Sequence, residues 1–192
     1  MTSATCLAAL TGLALSLHSP ALAQTGQAFD TLGFALRAAG NINRNTFHRY
    51  WSPNPSAEVE LETRFYLGHV QVGLHYASFD SKSDEQPDFF SLFPYIGWSY
   101  GWSPGTGLAW HNGARIGSFL QHYDIEDGNR TEQELCLALN SRVSQTIASG
   151  WAVDLSARYQ VVYTHERLRY VFIAIGLSHA IRTPDWLRDF LD

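Results

Sequence analysis

The chain is 192 residues long, 45% hydrophobic, 14% aromatic and only 16% charged, with a formal net charge of −5. That length fits one domain, and the apolar and aromatic content excludes a disordered chain. Twelve arginines and a single lysine, Lys82, are scattered along it, so no cationic patch for nucleic acid stands out. Past the N-terminal stretch no apolar run approaches the roughly 20 residues of a spanning helix.

Residues 1–23 read as a secretory signal peptide. The apolar run from Cys6 to Leu17 is followed by Pro20 and the small-residue pattern Ala21-Leu22-Ala23, which predicts cleavage before Gln24. Cys136 is then the one cysteine of the mature chain, which excludes an intramolecular disulfide framework.

The mature sequence alternates apolar and polar residues with a period of two. Eight strands are expected: Thr31–Gly40, Ala57–Leu67, His69–Phe79, Phe89–Gly101, Gly107–Gln121, Glu132–Val143, Gly150–Tyr163 and Leu168–Ile181. The second is the clearest. Val59, Leu61, Thr63, Phe65 and Leu67 share one face, while Glu58, Glu60, Glu62, Arg64 and Tyr66 share the other. A helical period of 3.6 would scatter those glutamates around the axis. The connections alternate in length. Asn41–Ser56, with a Pro53-Asn54-Pro55 turn, Asp80–Asp88, His122–Thr131 and Thr164–Arg167 are mostly long and polar; those near Gly68, at Trp102–Thr106 and at Ser144–Ser149 are tight.

An even number of strands of about ten residues, with short turns at one end and longer loops at the other, is the pattern of an outer-membrane barrel. Over nearly all of the mature chain, 24–182, the sequence resembles the small eight-stranded outer-membrane β-barrels of the OmpA and OmpX type. The resemblance implies an all-β, antiparallel up-and-down transmembrane barrel in the outer membrane of a Gram-negative-type bacterium, porin-like in build and surrounded by outer-membrane lipid and lipopolysaccharide.

On the polar face, glycine and alanine alternate with long charged residues. An eight-stranded interior is only wide enough to be filled by side chains, so small residues make room for large neighbours. Glu58, Glu60, Glu62, Glu134 and Asp154 balance Arg37, Arg64, Arg115, Arg142 and Arg158, which predicts a neutral salt-bridge network in the lumen. The −5 then falls on loops and tail. The opposite face, including Leu36, Val72 and Leu155, is large and uncharged, and Trp98, Trp102, Trp110 and Trp151 gather toward the short-turn end as an interfacial girdle. The last strand is apolar on both faces, so parity assigns neither to the lumen.

The tail, 183–192, offers Thr183 as an N-cap, Pro184 at the first helical position and an apolar face of Trp186, Leu187, Phe190 and Leu191. That face suits the membrane interface or a periplasmic or membrane partner. Loop one, with Arg44, Phe47, His48, Arg49, Tyr50 and Trp51, suits either lipopolysaccharide phosphates or packing onto its own rim. Asp124, Glu126 and Asp127 lack the full ligand spacing of a calcium loop.

Some barrels of the resembled group hydrolyse or transfer lipid A acyl chains, and the deacylase type implies a His-x-Ser pattern near the chain end. No mature histidine has a serine two residues later, and the adjacent Ser178 and His179 point to opposite faces. His75 and His111 are expected in the lumen, and no residue spacing calls for a metal or cofactor. The reading is therefore a non-enzymatic, side-chain-filled outer-membrane barrel acting structurally or by surface and partner binding. Two alternatives share the same alternation: an outer-membrane lipid-modifying enzyme of the lipid A acyl hydrolase type, and an exported soluble barrel whose apolar face encloses a ligand.

Overall fold

The computed structural model describes residues 28–42, 47–83, 86–105, 107–123, 130–165 and 167–187. The expected signal peptide lies outside the described residues. Among the described residues the elements bounded at both ends follow in order as β1 (Thr31–Asn41), α1 (Phe47–Tyr50), β2 (Trp51–Pro53), β3 (Ser56–Phe65), β4 (Gly68–Ser81), β5 (Phe89–Gly105), β6 (Leu108–Tyr123), β7 (Arg130–Ala148), β8 (Trp151–Val162) and β9 (Leu168–Arg182).

Eight of these strands close a ring in which β1 pairs with β3 and β9, and every pairing is antiparallel. The ninth, β2, pairs with β4 beyond the end of β3, placing Trp51–Pro53 against Ser81–Phe79. It continues the lane of β3, so the segment expected as a loop turn is sheet. Pro55 lacks the N–H a ladder needs, and the break falls there, bridged by Asn54, whose amide nitrogens reach the Ser78 carbonyl at 3.0 Å and Asp80 at 2.7 Å.

The register fixes the shape. Following hydrogen-bonded partners from Leu32 through Thr63, Val70, Trp98, Ala114, Leu139, Tyr159 and Val171 returns to β1 at Ile42, ten residues from the start. Eight strands with that stagger tilt by about 40° to the axis. Each residue then rises roughly 2.5 Å along the axis.

The first tight connection is Tyr66–Leu67, beside Gly68 as expected, and Tyr66 takes the positive φ of 46°. The third sits later than expected, at Ser149–Gly150 with Gly150 at φ 76°, because β7 continues through Ala148. Strand pairing overrides the polar residues Ser144, Gln145 and Thr146, which hold the ladder to β6 and β8.

Inward positions on β1 and β3–β8 follow the parity expected from their polar residues, and β9 turns Tyr170, Phe172 and Ala174 inward while Ile173, Ile175 and Leu177 face out. The outer wall presents Leu36 at 63%, Val72 at 52% and Leu155 at 56% exposure. Uncharged positions run from Trp102 and Trp151 up to Leu135 and Tyr76, a band about 25 Å tall by register and tilt. An exported soluble barrel needs the inverse arrangement, and its apolar-lumen reading is overturned by this wall.

Glycines on the inner face are occupied by their neighbours. A Cβ on Gly97 would lie 2.9 Å from the Arg115 side chain, and one on Gly176 would lie 2.6 Å from that of Arg37. At Gly73 it would run into the Tyr95 ring and come within 2.7 Å of the Val59 carbonyl. Gly73→Val is therefore expected to abolish the compact, heat-modifiable band on unboiled gels, whereas Gly40→Ala, with open space around it, leaves the band intact.

The lumen and its mouths as the candidate functional site

The lumen is divided into two layers. The layer nearer the short turns is ionic. β3 carries Glu58, Glu60 and Glu62 on successive inward positions, and the strands across the barrel carry Arg115 on β6, Arg142 on β7 and Arg158 on β8. Arg37 of β1 stands beside Glu58 in register.

Two carboxylates act as hubs. Glu58 accepts from Arg37 at 2.8 Å, from Arg115 at 3.1 Å and from Arg158. Glu60 accepts from Arg37 at 3.1 Å, from Arg115 at 2.5 Å and from Arg142 at 3.1 Å, and the Tyr95 hydroxyl donates to it at 2.8 Å. Arg37 also reaches Asp154 at 3.1 Å, and Arg142 reaches Glu62 at 2.7 Å. Four arginines and four carboxylates thus balance. Arg37, Glu58, Glu60, Arg115, Arg142, Asp154 and Arg158 are all buried, and planar guanidinium forks allow one arginine to serve several carboxylates.

Arg64 and Glu134 stand apart. Among the described residues neither joins this network, because Arg64 lies one inward position below Glu62, at the short-turn mouth, and Glu134 lies well above the hubs, toward the long loops. They carry opposite signs, so neutrality survives their removal. Residues missed by charge counting complete the layer: Tyr95, Gln71, which donates to Ser99 at 3.3 Å, and Ser178, whose hydroxyl donates to Asp154 at 3.2 Å.

The layer nearer the long loops is aromatic. Phe79, Phe93, Phe119, Tyr170 and Phe172 are buried there, and α1 drops Phe47 onto them, with ring centroids 5.2 Å from Phe79 and 5.3 Å from Tyr170. The layers are joined by Arg115 over the Tyr95 ring at 4.4 Å and Arg158 over Phe172 at 4.9 Å. Loop one therefore folds inward: Trp51 stacks on Phe47 and donates its indole N–H to the Pro87 carbonyl at 3.0 Å. Arg44, Asp124, Glu126 and Asp127 lie outside the described residues.

Each mouth holds a cavity. At the long-loop end one of about 930 Å³ is floored by Phe47, Trp51, Phe89 and Tyr123 and rimmed by Glu132 and Arg167. At the short-turn end one of about 380 Å³ is lined by His69, His111, Glu62 and Arg142. His75 and His111 are not brought together. His75 packs on Phe172 at 4.8 Å, and His111 packs on His69 at 5.1 Å. Among the described residues no three His, Cys, Asp or Glu side chains converge as a metal site. Ser178 is engaged with Asp154, and the His179 ring stacks on Trp151 at 4.4 Å, so the two point to different sides of the wall.

The girdle residues Trp102, Trp110 and Trp151 are exposed near the short turns, with Trp102 and Trp110 facing each other across β5 and β6. Trp98 is exposed too, but it stands two outward positions farther along β5, roughly 10 Å above Trp102. In the tail, Thr183 is buried and its backbone N–H donates to the Asp30 carbonyl at 3.1 Å, while its hydroxyl makes no capping bond. Helical backbone runs over Asp185–Leu187, and Trp186 is exposed; Phe190 and Leu191 lie outside the described residues.

The closed eight-stranded meander with a charged lumen and an apolar exterior is the fold of the small outer-membrane β-barrels. The chain is similar to the N-terminal barrel domain of Pseudomonas aeruginosa OprF at 10% identity and a TM-score of 0.59, covering 81% of this chain and 100% of that one. It is similar to Neisserial surface protein A at 13% identity and a TM-score of 0.58, covering 82% and 100%. A third likeness is to OprG of Pseudomonas aeruginosa, at 8% identity and a TM-score of 0.57, covering 82% and 99%. No protein-family model matches the chain, and no curated protein matches it in sequence.

Removing a hub tests the ionic layer. Glu60→Gln leaves Arg37, Arg115 and Arg142 short of a shared carboxylate and is expected to cost about 3 kcal/mol, read as a lowered urea midpoint in lipid vesicles. Glu134→Gln, outside the network, is expected to cost less than about 0.5 kcal/mol.

Proposed function

We propose that this chain is an integral barrel of the outer membrane of a Gram-negative-type bacterium, delivered there by a cleaved leader, and that it acts as a non-conducting structural or surface-binding protein. The observation that carries this reading is the inversion of the wall. Side chains such as Leu36, Leu139 and Ile175 are 61–63% exposed on the outside, while buried arginines and glutamates fill the inside. Such a wall is stable only where the surroundings are hydrocarbon.

The lumen supports the non-conducting part. The Glu58 and Glu60 hubs bridge opposite walls and the aromatic layer lies across the axis above them, so ion-paired and packed side chains occupy the path of a channel. The aromatic-floored cavity at the long-loop mouth supports a binding role at that surface. On this reading the exposed Trp186 of the tail rests at the membrane interface beside the Trp102–Trp110–Trp151 girdle.

Fractionation tests location: the protein should pellet with outer membranes, resist Sarkosyl extraction and migrate faster unboiled than boiled. Release by osmotic shock without detergent would overturn the reading. In planar bilayers the purified protein should give no stable nanosiemens conductance step, and such a step would overturn the filled lumen.

A further inference from the structure

The outer wall carries a carboxamide at a depth where five of the other strands present apolar side chains. Asn112 points outward from β6 between Trp110 and Ala114 and is exposed, and its carboxamide makes no hydrogen bond with any described residue. Across the ladder it stands level with Tyr100 of β5 and Ser141 of β7, and the Ser141 hydroxyl is engaged by the Trp110 indole at 2.8 Å. One outward position separates Asn112 from Trp110, which sets it roughly 5 Å farther from the short-turn end. At about that depth five other strands present Phe34, Leu61, Val72, Leu155 and Leu177, each 43–56% exposed.

A carboxamide facing hydrocarbon lacks the water that would satisfy its two donor protons and its carbonyl. It is also its own complement, since one amide donates where another accepts. A two-fold axis brings the same residue of two copies face to face, so two Asn112 side chains exchange a pair of hydrogen bonds. The surroundings suit close approach. Ala114 keeps the wall low on one side, and Trp98, Tyr100 and Trp102 supply the aromatic surface typical of interface anchors.

We infer that the outer face of β5–β7 is the interface of a homodimer within the membrane, centred on Asn112 meeting Asn112 of a second copy. This rests on the membrane location proposed above.

The test uses the full chain in outer membranes and in phospholipid vesicles. Asn112→Cys should give a disulfide-linked dimer on mild oxidation, because the two-fold axis places the residue against itself. Leu36→Cys, on β1 at the opposite side of the ring, should stay monomeric. Energy transfer between labelled copies in vesicles should fall at least tenfold with Asn112→Leu and remain largely intact with Asn112→Gln. The gel shift on heating and flotation with vesicles, run on the same samples, report folding and membrane insertion. Folded, floating protein that neither cross-links at position 112 nor transfers energy overturns the dimer while leaving the membrane reading standing. Equal transfer for wild type and Asn112→Leu, or cross-linking to a different outer-membrane protein, also overturns it. Folded protein that fails to float removes both.

Discussion

The cross-lumen ion pairs are the constraint on which the rest of the barrel depends. β3 presents three glutamates in a row, a spacing that repels unless cations lie between them. The cations come from the far wall, from Arg115, Arg142 and Arg158, and from Arg37 next door. Since a buried charge is tolerable only when paired, the inner residues of β6–β8 must arrive opposite β3. The stagger of ten residues and the identities of those arginines are therefore one fact seen twice. Slipping any of these strands by one residue would turn an arginine toward lipid and bring an outward residue such as Ile116, Val143 or Tyr159 into the cluster. Arginine rather than lysine suits this duty, because a fork can hold two carboxylates at once, and Lys82, the one lysine, lies in a loop.

The second layer has a different role. Phe79, Phe89, Phe93, Phe119, Tyr170 and Phe172 need no partners of opposite sign, so they fill the cross-section without imposing register. Their weight near the long loops lets α1 seat Phe47 from above, giving the mouth a floor of ring faces. Beneath them, Arg115 and Arg158 turn guanidinium planes against Tyr95 and Phe172, so the junction of the two layers is itself attractive.

The wall's two faces were legible in the sequence because membrane and lumen ask for opposite chemistry at alternate residues. Glu58, Glu60 and Glu62 announce their strand, and the parity of β4–β8 carries through without exception at positions such as Gln71, Arg115 and Asp154. The aromatic layer was harder to read because phenylalanine is at home in lipid and in a packed interior alike. Extending the parity of Tyr95 and Gly97 back along β5 reaches Phe93, and extending Arg115 and Gly117 along β6 reaches Phe119, so the signal was present but not chemical. β9 has no charge in its middle to anchor parity, and only the ladder to β1 and β8 decides its faces. Arg64 and Glu134 show the limit of counting charges on a face, since height along the axis, set by the stagger, decides which of them meet.

The long separation along the chain between β3's glutamates and the arginines of β6–β8 has a consequence for assembly. Three of the four carboxylates, Glu58, Glu60 and Glu62, reside on the first hairpin with Arg37, while Arg158 and Asp154 lie near the end, 100 and 117 residues away from the partners they hold. Dehydrating the glutamate wall before those arginines are opposite would strand three carboxylates in an apolar space, at several kcal/mol each. The sheet must therefore curl shut around water, and expulsion of that water belongs to the last stage of closure, when β9 meets β1 and the two walls come within reach of each other.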